Sequence, residues 1–237
     1  MTYKLSHLKQ LLKLSGQKAK EVYSKCSYSQ CGEDMIVDYI FRLRGVHQPS
    51  YIDIGANHPF FLSNTAFFYE KGCRGINIEA NPRQISLFQK YRNGDINLNF
   101  GVGPNESEMD FYIMEDNTLS TFSKRECDFL ITNGKTLSEI KKVKLVTIEN
   151  ILEKYCNRMF PDFMSIDVEG MDFEIMEAID YNKSFPKVVC IEAAEYSPVG
   201  AGSRKKELID FLVSKNYYEY ANTNLNAIMV NKEFWFV

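Results

Sequence analysis

Two missing motifs narrow this chain before anything present is considered. It has no Gly-x-Gly-x-x-Gly, the turn that seats a dinucleotide pyrophosphate on a helix N-terminus, and no Cys-x-x-Cys, the pair from which zinc ribbons and thiol redox sites are built. Long apolar runs are missing too. None approaches the ~18 to 20 residues of a membrane span, and the N-terminus lacks a signal-peptide core. The six cysteines, Cys26, Cys31, Cys73, Cys127, Cys156 and Cys190, are scattered, and several lie in apolar runs where a thiol packs as a small hydrophobe. They are read as reduced, in a cytoplasmic protein. An excess of one charge is also lacking: the net charge is −3, which gives no general pull toward nucleic acid, and no nucleic-acid partner is expected. The 237 residues suffice for one full core and a small appendage.

What is present is organised around residues 51–82, YIDIGANHPFFLSNTAFFYEKGCRGINIEANP. The pattern predicts a buried strand over 51–54, a turn holding Gly55, Ala56 and Asn57, a short helix capped by Ser63 or Asn64 and stopped at Gly72, and a second strand over 75–78 ending on Glu79. Strands joined by a helical crossover run parallel, so Asp53, Gly55 and Glu79 come to one sheet edge, where open α/β proteins bind ligands. An acid 20 to 25 residues after the glycine turn accepts the hydroxyls of a ribose. The acid before the glycine repels a pyrophosphate and suits an amine. S-adenosyl-L-methionine, with an ammonium, a ribose and no phosphate, is the ligand that fits; an ordinary βαβ pair with a tight turn is the plain alternative.

Along the rest of the chain, residues 1–25 carry six lysines against one acid, with leucines at helical spacing. They read as a basic amphipathic helix ahead of a domain over 26–237. It would pack on the domain or on a second subunit of a homo-oligomer, or touch a membrane surface. A helix follows the polar stretch 28–34, where Gln30, Gly32 and Glu33 could wall the pocket or an acid simply cap the helix. Further on come a helix at 84–91, a strand at 96–102 ending at Gly103 beside the adenine, a strand at 109–114 and a long irregular excursion over 115–135. Thr118, Ser120 and Thr121 are that excursion's candidate substrate contacts. A strand at 142–146, a helix capped by Thr147 and running through 155, a strand at 162–166, a helix at 171–181, a strand at 188–191, a helix at 204–215 and a closing antiparallel pair, 217–221 and 227–230, complete the reading. The fold expected is α/β and Rossmann-like: a seven-stranded, mostly parallel sheet with an antiparallel C-terminal hairpin, flanked by helices.

The segments SQCGED at 29–34, YIDIGANHP at 51–59, SNT at 63–65, IEANP at 78–82 and IDVEGMD at 166–172 together resemble the FkbM-type methyltransferases. The resemblance implies a class I methyltransferase fold, S-adenosylmethionine as methyl donor, and O-methylation of a hydroxyl, often on a sugar or another natural product. Carried over by motif, Asp53, Gly55 and Glu79 are the implied cofactor contacts, joined by Gln30, Glu33 and Asn64. Asn57, in the same turn, is counted with them.

Methyl transfer to an alcohol requires removal of a proton whose pKa is ~15.7, by a base or with help from a metal. Asp167 and Glu192 end the fourth and fifth sheet strands, and as neighbours they would stand about one strand spacing, ~4.8 Å, apart. Two acids so placed need a shared proton or a cation between them. The expectation is Mg²⁺ or Mn²⁺ on Asp167 and Glu192, with His58 as third ligand or general base. The alternative makes one acid the base while the other caps a helix or pairs with a lysine. Glu169 would cap the helix near 171, and Asp172, Glu195, Tyr196 and Tyr69 are more distant candidates. The acceptor expected is a sugar hydroxyl of a nucleotide sugar or surface polysaccharide precursor. Another natural-product acceptor, a nicotinamide-dependent oxidoreductase and a non-catalytic binding protein are the alternatives.

Overall fold

The computed structural model describes residues 26–168, 170–194 and 202–236. The expectations for residues 1–25, Glu169, Glu195 and Tyr196 fall outside the described residues. Helix α1 (Glu33–Leu43) leads into β1 (Tyr51–Ile54), the short α2 (Ala66–Glu70), β2 (Gly75–Ile78), α3 (Pro82–Tyr91) and β3 (Ile96–Leu98). Then come β4 (Gly101–Val102), β5 (Ser107–Met114), α4 (Lys124–Thr132), β6 (Leu137–Val146) and α5 (Ile148–Tyr155). The chain continues with β7 (Phe163–Ile166), α6 (Asp172–Glu177), β8 (Val188–Glu192), α7 (Lys206–Ser214), β9 (Tyr217–Asn222), β10 (Asn226–Asn231) and α8 (Lys232–Phe236).

Seven strands form the main sheet in the order β3-β2-β1-β7-β8-β10-β9. β3, β2, β1, β7 and β8 pair in parallel, and β10 is antiparallel to both β8 and β9. From β1 the order runs outward both ways, so a crevice opens at the carboxyl ends of β1 and β7. Alternation along the strands sends Ile52, Ile54, Met164 and Ile166 to one face, packed with Ile151 of α5, Met176 of α6 and Leu212 of α7. Tyr51, Phe163, Val188 and Cys190 face the other side, against Val37 and Phe41 of α1 and Phe68 of α2. Cys73, Cys127 and Cys190 are buried, as their apolar neighbours predicted.

Three elements differ from the pattern-based expectation. The strand expected over 96–102 is two strands: β3 stays in the main sheet, whereas β4 joins β6 and β5 in a separate three-stranded sheet. Between them Asn99 Nδ2 donates to the carbonyls of Glu79 and Ala80, which bends the chain off the main sheet. Residues 115–135 hold a 3-10 turn (Asn117–Leu119) and α4. Ser123 caps α4 by accepting from the Glu126 N–H, and Cys127 and Leu130 anchor its buried face. The cap of α2 is Thr65, one residue beyond the two expected; Ser63 Oγ accepts from the Ala66 N–H.

Candidate functional site

At the carboxyl ends of β1, β2, β7 and β8 lies a cavity of about 370 Å³. The β1–α2 turn builds one wall. Gly55 has φ +77, and a Cβ there would collide with the carbonyl oxygen of Asp167. Its N–H and that of Ala56 donate to the Ile78 carbonyl at 3.0 and 3.1 Å, and Asp167 N–H donates to the Ile54 carbonyl at 3.0 Å. Glycine is thus demanded by the close approach of the β7 end, not only by a ligand.

Glu79 is buried, with Oε2 accepting from Asn57 N–H at 2.7 Å and Oε1 from Asn81 N–H at 2.6 Å. Burial raises its carboxyl to about 7, against the pull of those two donors. Asp53 is also buried; its Oδ2 accepts from Thr65 Oγ1 at 2.6 Å, and Arg92 donates to the same hydroxyl at 3.0 Å. Burial raises the Asp53 carboxyl while Thr65 and Arg92 oppose the rise. Asn64 Nδ2 donates to Ser165 Oγ at 3.2 Å, tying the turn to β7.

The other wall carries the acids after β7 and β8. The register pairs Ile166 with Ile191, so Asp167 and Glu192 are neighbours. Asp167 is open to the cavity, though protein encloses it on its other sides; burial, Glu192 and Asp172 raise its carboxyl well above the ordinary range. Burial raises Glu192 too, with Lys205 opposing. Lys205 forms ion pairs with Glu192 and, at 3.6 Å, with the buried Asp172. Burial works against the Lys205 charge, but the two carboxylates outweigh it and hold the ammonium above the usual lysine range.

The cavity collects Gln30, Asp53, Gly55, Asn57, Asn64, Glu79, Asp167 and Glu192 of the expected set, with Thr118 and Ser120. Its described wall carries four carboxylates, Asp53, Glu79, Asp167 and Glu192, and no lysine, arginine or histidine. Such a donor set fits a ligand bearing positive charge and hydroxyls and repels a phosphate.

Other expected residues are not brought to this wall. Glu33 lies behind it: its carboxylate accepts from Cys31 N–H, Thr223 Oγ1 and Asn226 Nδ2, and these bonds outweigh burial to hold it below the ordinary range. Gly103 backs onto Leu145 because β4 has left the main sheet; Phe100, Gly101 and Val102 stand at the cavity instead. His58 turns its Nδ1 inward to accept from the N–H groups of Phe60 (3.2 Å) and Phe61 (2.9 Å), and burial lowers its pKa. Tyr69 stacks under Arg92 and Arg74, and Thr121 donates to Glu126. The expected ligand set for Mg²⁺ or Mn²⁺ therefore does not assemble. His58 is used in its own turn, Glu192 is engaged by Lys205, and no group of three or more His, Cys, Asp or Glu among the described residues is arranged to hold a metal.

Pattern reading missed Asn81, Gln84, Asn117 and Ser165 as wall residues, with Phe111 and Phe122 from the second sheet and its following loop. Asn81 was signalled by the following proline, since it caps α3 by accepting from Arg83 N–H. Its amide also donates to Asn117, which pins the 3-10 turn against the end of β2. Lys205 carried no signal at all.

The profile of the methyltransferase FkbM domain matches residues 53–220. No curated protein matches the chain in sequence. Among solved structures, it is similar to the 1,6-didemethyltoxoflavin-N1-methyltransferase of Burkholderia thailandensis, with bound 1,6-didemethyltoxoflavin and S-adenosylhomocysteine. That match has 10% identity, 97% of this chain and 88% of that one covered, and TM-score 0.41. It is also similar to a ribosomal protein L11 methylase from Lactobacillus delbrueckii subsp. bulgaricus (8% identity, 84% and 77% covered, TM-score 0.44). A third match is TehB from Haemophilus influenzae (11% identity, 90% and 65% covered, TM-score 0.44).

Proposed function

The chain belongs to the FkbM family of methyltransferases, and from that premise we propose that it is an S-adenosylmethionine-dependent O-methyltransferase acting on a sugar hydroxyl. The observation that carries this reading is the cavity wall with four carboxylates and no cationic side chain among its described residues. When bound, S-adenosylmethionine would supply a methyl group activated on a positively charged sulfur. Glu79, at the end of β2, has a lone pair left on each oxygen for ribose hydroxyls after serving two backbone donors. Asp53 and Asn64 stand together at the β1 end, the first suited to an ammonium and the second anchored through Ser165.

Asp167 is the proposed base. No described residue donates a hydrogen bond to its carboxylate, whereas Glu192 and Asp172 are both occupied by Lys205. A carboxyl held above its ordinary range by its surroundings is a stronger base than an ordinary one, and it would take the acceptor hydroxyl's proton on its own oxygen. Asp167→Asn should lower kcat by about 10² to 10⁴ while S-adenosylhomocysteine still binds. A wall of this charge favours an uncharged sugar, such as a unit of a polysaccharide precursor. A nucleotide sugar would have to keep its diphosphate outside the described wall.

Transfer of labelled methyl from S-adenosylmethionine to a panel of free, nucleotide-linked and oligomeric sugars tests the proposal. Turnover on sugars with a base-stable methyl ether as product is expected. Turnover confined to a lipid, polyketide or amine acceptor would overturn it.

A further inference from the structure

Two acids ending adjacent parallel strands need a shared proton or a cation, and a cationic side chain of this protein already stands beside them. Lys205 occupies the position just before α7, and its backbone is fixed beside the end of β8. Its N–H donates to the Ala193 carbonyl at 2.8 Å, and the preceding Arg204 forms a bridge with Ala194 and an ion pair with Glu219. From that position the ammonium reaches Glu192 and Asp172 together. Asp172 in turn accepts from the Val168 N–H at 3.1 Å, so the same cation secures the backbone directly after Asp167. Lys205 is not part of the cavity wall, and only a quarter of its side chain is exposed.

We infer that Lys205 is the built-in cation of this acidic site, a positioning residue that does the neutralising work a divalent metal would otherwise do. It engages Glu192 and Asp172 and leaves Asp167 as the free carboxylate facing the acceptor. The inference rests on the function proposed above and adds to it a metal-independent site. Lys205 is no base itself, because two carboxylates keep it charged. Removing the charge leaves Glu192 and the buried Asp172 without the cation that both engage, and with it the hold on the backbone directly after Asp167.

The test uses the full chain stripped with EDTA, as wild type, Lys205→Arg, Lys205→Met and Lys205→Met with Glu192→Gln, melted in rising MnCl₂ and, separately, MgCl₂. Wild type and Lys205→Arg should show no saturable shift. Lys205→Met should melt lower by about 5 °C or more without recovery in either metal, and Glu192→Gln in the same chain should recover part of that loss by removing one of the two stranded carboxylates. A saturable Mn²⁺ shift in wild type or Lys205→Arg would overturn the inference, as would a Lys205→Met protein indifferent to the substitution. If Lys205→Met does not fold, the wild-type and Lys205→Arg arms still decide. S-adenosylhomocysteine titrated into the same wild-type sample reports on the cofactor reading separately.

Discussion

Gly55 carries two constraints at one residue. Its left-handed φ strains any L side chain, and the Asp167 carbonyl fills the space of a Cβ. Gly55→Ala should therefore cost about 3 kcal/mol or more, read as a lowered denaturant midpoint with an unchanged slope. A loss below about 1 kcal/mol would mean the β1 and β7 ends part easily. The same contact explains what residue patterns can and cannot reveal. The glycine was legible as a turn residue, but the partner that demands it lies 112 positions later and becomes visible only in three dimensions. His58 illustrates the converse: its place before Pro59 at the sheet edge reads as catalytic, yet the imidazole serves the turn that follows.

At the scale of elements, α3, β1, α2 and the turn before β3 meet on one buried arginine. Arg92 is fully buried, bonds to Asp95 at 3.0 Å, Tyr51 Oη at 2.9 Å and Thr65 Oγ1 at 3.0 Å, and lies against the rings of Tyr51, Tyr69 and Phe88. Arg92→Met strands Asp95 without its cation and withdraws a donor from the network behind Asp53. A loss of about 3 to 5 kcal/mol is expected in urea unfolding, and one under 1 kcal/mol would contradict it. Elements with a strong period or a fixed cap were legible from sequence: β1 and β2 lie at the expected residues, and Thr147 caps α5 by accepting from Asn150 N–H. The second sheet was not. Its ten-residue β6 pairs with β5 across an intervening helix, and nothing in the alternation of Lys142, Val143, Lys144 and Leu145 says which sheet they join.

For the whole molecule, the buried Glu79 links stability to pH. Its folded pKa, about 7, exceeds the ordinary 4.5, so the folded state binds this proton more tightly than the unfolded chain does. The stabilisation is full below about pH 4.5 and is lost as pH rises through 7, a change of about 3 kcal/mol by pH 9. Wild-type protein free of ligand should lose stability over that window relative to Glu79→Gln, measured as the difference between their pH slopes. Parallel slopes would contradict the shift. The division into a basic segment over 1–25 and a methyltransferase domain over 26–237 is proposed at this scale. A chain starting at Cys26 keeps the Ser27, Tyr28 and Ser29 contacts to Asp34 and should fold with its cavity intact.

The most direct measurement is calorimetric titration of S-adenosylhomocysteine into the wild type and Glu79→Ala, each first shown to melt cooperatively. A Kd on the order of micromolar in the wild type, weakened at least about a hundredfold in the variant, is the predicted result. Absence of heat and of any thermal shift in the wild type, or equal affinity in the two proteins, would contradict the assignment of this cavity to the cofactor.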